Sequence, residues 1–161
     1  MVQSTLLCES LHPDHIAVHC NISSRKKLLE TMAQLLSKNL DSECKEKDIY
    51  LHLWEREKLG NTGVGNGIAI PHARCHYAES AVVAIITLEA GVDYDAADKQ
   101  AVDLAFGLLV PEQANQEHLN LLASIAQLMS DTNKKQALLD AATSAEVISL
   151  IQSWCSGSKD N

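Results

Sequence analysis

Between Arg56 and His76 the chain reads R-E-K-L-G-N-T-G-V-G-N-G-I-A-I-P-H-A-R-C-H, which brings together most of the residue types that could do chemistry. Gly60, Gly63, Gly65 and Gly67 are four of the seven glycines in the chain. Glycine lets backbone N–H groups approach an anion closely, so Thr62, Gly63, Gly65, Asn66 and Gly67 are read as a phosphate-binding loop. The glycines alone fit an ordinary connector as well. They fit neither a P-loop, which needs Lys-Ser or Lys-Thr, nor a dinucleotide fingerprint, which places a strand before the glycines and a helix after them. The junction to Pro71-His72 raises the functional reading. Proline fixes φ and removes a donor, so a strand Ile68–Pro71 ends there or lies at an edge, and His72 stands at a rigid terminus. A neutral imidazole is a competent nucleophile near neutral pH, and a phosphoryl group on His72 would carry its oxygens toward those N–H donors.

The neighbouring residues support weaker readings. His72, Cys75 and His76 suggest zinc, but Pro71 argues against a helix that would align i and i+4, and further ligands are not evident, so no metal is expected. Cys75 beside His76 makes a poor nucleophile–base pair, because adjacent residues do not face each other. Arg56 ends an acidic helix, where a surface ion pair is the plain alternative to a functional role. His118 lies on an apolar helix face and also near a helix N-terminus, where the dipole favours an anion.

The block Thr62–His72, T-G-V-G-N-G-I-A-I-P-H, resembles the active-site signature of the bacterial phosphotransferase-system enzyme IIA domains of the mannitol/fructose type, and most of all the nitrogen-regulatory branch. The resemblance spans nearly the whole chain. It implies that His72 accepts a phosphoryl group from a histidine-containing phosphocarrier protein. It also implies that Arg56, sixteen residues earlier, and His118, forty-six residues later, stabilise the phosphate. Many members carry glycine after the histidine, where this chain has Ala73. The opening L-x-P-D-x-I, Leu11 to Ile16, with no IIB-type or membrane domain attached, points to a stand-alone regulatory protein with target proteins of its own. A sugar-specific IIA serving a separate IIB and a phosphorylation-independent binding module remain alternatives. No cofactor is implied, and the protein is a phosphotransferase component more than a turnover enzyme.

The elements that position these residues follow from periodicity. Ile16, Val18 and Cys20 alternate as a short strand. Leu28, Met32, Leu35 and Leu36 form one stripe of a helix ending near Asn39. Ser42 can cap a second helix, with Glu43 and Glu46 in its first turns and Ile49, Tyr50, Leu53 and Trp54 on its buried face, and Gly60 is its natural stop. Ala81–Leu88 and Val102–Val110 are apolar runs expected as central strands. His118, Leu121, Leu122, Ile125, Leu128 and Met129 mark a long helix from Asn115. Lys134–Ala142 forms a short one, and a final helix follows the capping box Thr143-x-x-Glu146. The result is an α/β single domain over 1–161, a mixed sheet of about four to five strands covered by helices, with 156–161 a frayed tail. The alternative is a two-layer α+β domain. Ile70 or Val64 is expected in an apolar contact patch beside His72.

Composition narrows the function classes. The net charge is −8 and aromatics are 4% of the 161 residues, so nucleic-acid binding and anionic membranes are excluded as partners. The first sixteen residues lack a basic segment and an apolar core, and no apolar run approaches the ~20 residues of a membrane span, so neither a signal peptide nor membrane insertion is expected. Five scattered cysteines with no C-x-x-C pair read as reduced thiols of a cytoplasmic protein.

Overall fold

The computed structural model describes residues 2–40, 45–76, 78–113 and 115–157, with side chains from residue 6 to residue 155 of these. Its order is α1 (Val2–Glu9), a 3-10 turn (Pro13–His15), β1 (Ile16–Cys20), α2 (Arg25–Ser37), α3 (Glu46–Leu59), β2 (Gly63–Gly65), β3 (Ile68–Ala69), β4 (His72–Cys75), β5 (Val82–Val92), β6 (Val102–Pro111), α4 (Gln116–Met129), α5 (Thr132–Asp140) and α6 (Ser144–Gly157). The six strands form one mixed sheet in the order β1-β5-β6-β3-β2, with β4 also paired to β6. β5 and β6 are an antiparallel central pair, while β1, β3 and β4 run parallel to their neighbours.

Alternation along the two central strands builds two cores. Ala84 and Ile86 of β5, with Ala105 and Leu109 of β6, face Leu28, Met32, Leu36, Ile49 and Leu53 of α2 and α3. Val83 and Ile85, with Leu104, Phe106 and Leu108, face Leu7 of α1, Leu121 and Ile125 of α4, Leu138 of α5 and Ile151 of α6. The sheet is therefore covered on both faces, as near-continuous apolar strands require.

The count of six strands, against four to five from the pattern, comes from one edge. β3 and β4 pair with β6 in a single register, Ile68 with Leu104 and His72 with Leu108, broken only at Ile70-Pro71. Pro71 has no N–H for the ladder, but its carbonyl still accepts from Leu108 N at 3.0 Å.

Local chemistry explains the helix ends. Ser24 caps α2 by accepting from Lys27 N, and Asp131 caps α5 by accepting from Asn133 N and Lys134 N. That cap starts α5 two residues before the expected Lys134. Glu146 N donates to Thr143 Oγ1 at the start of α6, and the Glu146 carboxylate accepts from Ala142 N instead of Thr143 N. Gly60 ends α3 at φ 168°, extended backbone open to any residue, so the left-handed stop expected there is not used. The expected cap by Ser42 with Glu43, the thiol Cys44 and the tail 158–161 lie outside the described residues.

One element was not anticipated from the pattern, and one expectation needs correction. The N-terminal residues form α1, which has a weak apolar stripe and becomes a helix by packing against α4 and α6. Cys8 of α1 is joined to Cys155 of α6 by a disulfide, so the five cysteines are not all reduced thiols. A separation of 147 residues carries no sequence signal, because only the packing of the two terminal helices brings this pair together.

Gly107 shows how tightly α2 sits on the sheet. A Cβ there would fall 2.1 Å from Met32 Sδ and 2.6 Å from Met32 Cγ, and Met32 is fully buried. Gly107→Ala is expected to lower stability by about 1–3 kcal/mol through overpacking. Denaturant unfolding of this variant, of Met32→Ala and of the double variant checks the cause: Met32→Ala alone costs about 2–5 kcal/mol, and Gly107→Ala is expected to cost less in that background than on its own.

Candidate active site

β4 is an edge strand, and at its edge α3 from one layer and α4 from the other come together. They enclose a cleft of about 530 Å³ lined by His52, Glu55, Arg56 and Leu59 of α3, His72, Ala73 and Arg74 of β4, Leu108 and Val110 of β6, and His118, Leu119 and Leu122 of α4. Three residues singled out from the sequence, Arg56, His72 and His118, thus meet from three elements.

The His72 ring is fixed at both nitrogens. Its Nδ1 lies 2.7 Å from the Ile70 carbonyl oxygen, which can only accept, so Nδ1 carries the proton. Nε2 is then the lone-pair nitrogen, and Arg56 Nε–H donates to it at 3.3 Å. Arg56 is itself held by an Nη1–H bond of 2.8 Å to the Gly60 carbonyl at the end of its helix. Burial lowers the His72 pKa below the ordinary histidine value, and the Arg56 cation adds to this, against the Ile70 hydrogen bond and the Glu57 carboxylate. The neutral, nucleophilic ring therefore persists into more acidic solution than a free histidine allows. Lowering the pH through ~6.5 is expected to leave the reactivity of His72 unchanged, with loss only at more acidic values. An NMR titration of the ring checks this, and Arg56→Gln should move its midpoint upward.

His118 has a complementary arrangement. Asn115 caps α4 by accepting from His118 N at 3.1 Å, and its own N–H donates to His118 Nδ1 at 3.3 Å. With Nδ1 accepting, the neutral ring carries its proton on Nε2 and is a donor. The partial positive charge of the α4 N-terminus also favours an anion in this cleft.

The glycine segment is placed differently from the expected phosphate loop. Gly63, Gly65, Asn66 and Gly67 form the β2–β3 hairpin and do not line the cleft. Asn66 (φ 57°) and Gly67 (φ 78°) make its turn, which sits at the start of β6, where the Gly67 carbonyl accepts from Asp103 N and Leu104 N. His72 pairs with Leu108 instead, roughly 13 Å further along the strand. Several of the loop's N–H groups are already taken: Thr62 N by Glu57, Gly63 N by Asn61 and Asn66 N by Asp98. At Gly67 the glycine requirement is conformational and steric, since a Cβ would meet Lys135, Asp103 and the Ala101 carbonyl within 3.1 Å. Thr62 is buried, bonded to Glu57 and Tyr94.

Ile70 is 2% exposed and packs in the second core, and Val64 is exposed on the hairpin, so neither forms the apolar patch by His72. That patch is Leu59 and Leu119, 86% and 50% exposed at the cleft rim. Among the described residues no group of three or more His, Cys, Asp or Glu side chains could hold a metal, and no helix is long and apolar enough to cross a membrane. Cys75 faces the first core while His76 contacts Glu112 on the surface at 2.9 Å, so they diverge from His72.

The sequence profile of the family described as "Phosphoenolpyruvate-dependent sugar phosphotransferase system, EIIA 2" matches residues 9–154. The chain belongs to this family. As an enzyme IIA of the second type it is a component of that phosphotransferase system. It is 41% identical to a nitrogen regulatory protein of Pseudomonas aeruginosa over 141 residues, 88% of this chain and 91% of that one. The crystal structure of nitrogen regulatory protein IIA-Ntr from Neisseria meningitidis superposes with a TM-score of 0.84 at 36% identity, covering 91% of this chain and 99% of that one. A mannitol IIA of Escherichia coli, solved in complex with phosphorylated IIB, shares the fold at 19% identity with a TM-score of 0.72, over 89% and 97% of the two chains.

Two features of this enzyme IIA escaped the sequence reading. His52 and Leu119 line the cleft, yet exposed positions on amphipathic helices carry no distinguishing pattern. Glu57 is 6% exposed. Its signal was present: Ile49, Leu53 and Glu57 recur at i, i+4, i+8, which places a carboxylate on the buried stripe.

Proposed function

We propose that this enzyme IIA is a phosphohistidine relay and regulatory protein, in which His72 accepts a phosphoryl group through Nε2. The observation that carries this reading is the ring geometry: Nδ1–H is committed to the Ile70 carbonyl, and the Nε2 lone pair lies in the cleft beside a guanidinium. A histidine phosphocarrier protein is the donor, with phosphoenolpyruvate as the ultimate source. The lone pair of Nε2 attacks phosphorus in line, the P–N bond to the carrier breaks, and its electron pair returns to the carrier's ring nitrogen. Arg56 turns its N–H from Nε2 to the phosphoryl oxygens, and His118 donates to them through Nε2–H. The product keeps its Nδ1–H on Ile70, now as a charge-assisted hydrogen bond. Little else is demanded of a phosphoryl-transfer site than position and charge neutralisation.

The exposed Leu59 and Leu119 at the rim support a protein partner over a small substrate. The relatives named nitrogen regulatory proteins support a regulatory role, with phosphorylation state as the signal to target proteins, and the cytoplasm is the proposed place of that role. The second reading, onward transfer to a IIB, is favoured by the complex of the mannitol relative. Incubation with phosphoenolpyruvate, the general phosphotransferase enzyme and its carrier should add about 80 Da to His72 as an acid-labile group. A chain that stays unmodified while the carrier is phosphorylated would leave only a binding module.

A further inference from the structure

We infer that Glu57 is a positioning residue that, together with Thr62 and Tyr94, holds the His72 ring in the orientation and tautomer that present Nε2. The inference rests on the reading of His72 as acceptor.

Glu57 lies in the last turn of α3, where its carboxylate leaves water and would be costly without partners. It has three donors. Oε1 accepts from Thr62 N–H at 3.0 Å, and Oε2 accepts from the Thr62 hydroxyl and from Tyr94 O–H, the latter at 3.0 Å. Tyr94 is fully buried, and its phenol is held well above the usual range, first by burial and then by the Glu57 charge, so it stays a donor.

From there the bonds run on to the ring. The Thr62 carbonyl accepts from Ile70 N–H at 2.9 Å, and the Ile70 carbonyl accepts from His72 Nδ1–H at 2.7 Å. Consecutive residues of α3 therefore reach the two nitrogens of one imidazole. Arg56 touches Nε2 directly, and Glu57 reaches Nδ1 through the backbones of Thr62 and Ile70, each residue linking its bonded N–H to its bonded C=O.

The position matters because the regular ladder does not aim the Ile70 carbonyl, even though the Ile70 side chain packs in the second core and the Pro71 carbonyl accepts from Leu108 N. Ile70 and Pro71 are the two residues where the β3–β4 edge leaves the regular ladder with β6. The direction of the Ile70 carbonyl decides which ring nitrogen keeps the proton. An apolar trio could fill the same space with equal stability, but it would not hold the Thr62 backbone, whose carbonyl accepts from Ile70 N–H.

Ring ¹⁵N NMR of the unphosphorylated protein reads the tautomer, and single-turnover transfer from the carrier reads the rate per folded molecule. Parent protein and Thr62→Ser, which keeps hydroxyl and amide, should show Nδ1–H alone. Glu57→Gln presents an NH₂ to a set of donors and should give a mixture of His72 tautomers. Its maximal transfer rate should fall about ten-fold with the carrier concentration for half-saturation unchanged, since misplaced reacting groups lose rate rather than affinity. Tyr94→Phe removes one donor and should shift both readouts in the same direction by a smaller amount. If Glu57→Gln does not fold, Tyr94→Phe decides. A variant with a lower melting temperature but an unmixed Nδ1–H tautomer and parental rate overturns the inference and leaves Glu57 a purely structural residue. A parent chain that takes no phosphate would instead end the acceptor reading, and the tautomer shift would still be measurable.

Discussion

His72→Ala is expected to yield a folded protein that takes up no phosphoryl group. Two other histidines line the same cleft, so the outcome is not a formality. His118 cannot substitute in its resting form, because Nδ1 accepts from Asn115 N–H and Nε2 therefore carries the proton. His52 is exposed on α3, and among the described residues no donor or carbonyl fixes its ring toward the floor of the cleft, where Arg56 stands beside His72. The cost in stability should stay within about 1 kcal/mol, since the half-buried ring's bonds to the Ile70 carbonyl and to Arg56 can both be replaced by cleft water. Intact mass after incubation with the phosphorylated carrier and the melting temperature of the same sample measure both effects. A folded alanine variant that still gains about 80 Da would move the acceptor elsewhere in the cleft.

Arg56→Glu should slow transfer at least a hundred-fold without unfolding α3. Arg56 is the one guanidinium bonded to His72. A charge-assisted hydrogen bond is worth about 1.5–3 kcal/mol, and every 1.36 kcal/mol in the transition state is about ten-fold in rate. Reversal also puts a carboxylate where the doubly charged phosphate arrives, next to Glu55 and Glu57, and removes the cation that lowers His72's proton affinity. His118→Ala loses one donor with no reversal and should cost roughly ten- to hundred-fold. Arg74→Glu, an exposed position of β4 in the same cleft, should cost only a few-fold, as it has no bond to the ring. Single-turnover rates for the three variants test the order. Equal slowing in all three would mean that net charge near the cleft governs transfer, not the contact of Arg56 with His72.

Much of the architecture was legible in the residues because it depends on local periodicity. The apolar runs Ala81–Leu88 and Val102–Val110 are the central strands β5 and β6, the stripes of α2 and α4 lie where their spacing put them, and α6 follows Thr143 as its capping signal requires. His72 stood out because proline before histidine breaks the ladder at any strand, whatever packs around it. Arg56 and His118 were found through a resemblance, and nothing in their own neighbourhoods distinguished a site residue from a surface ion pair or a core histidine.

The tertiary structure decided everything that depends on which residues meet at a distance. The glycines between Gly63 and Gly67 carry one composition, which suits an anion loop and a tight hairpin alike. Only the register of β3 on β6 places their turn a strand's length from His72. The pairing of Cys8 with Cys155 needs two terminal helices to pack, and no spacing rule spans that gap. The same holds for the hydrogen bonds from Glu57 through Thr62 and Ile70 to the ring. Sequence by itself determined that a histidine with a free edge exists in an α/β chain of this family. Which nitrogen of that histidine is nucleophilic was decided by the direction of a single carbonyl, and that direction is set by how the backbone of Ile70 is held in three dimensions.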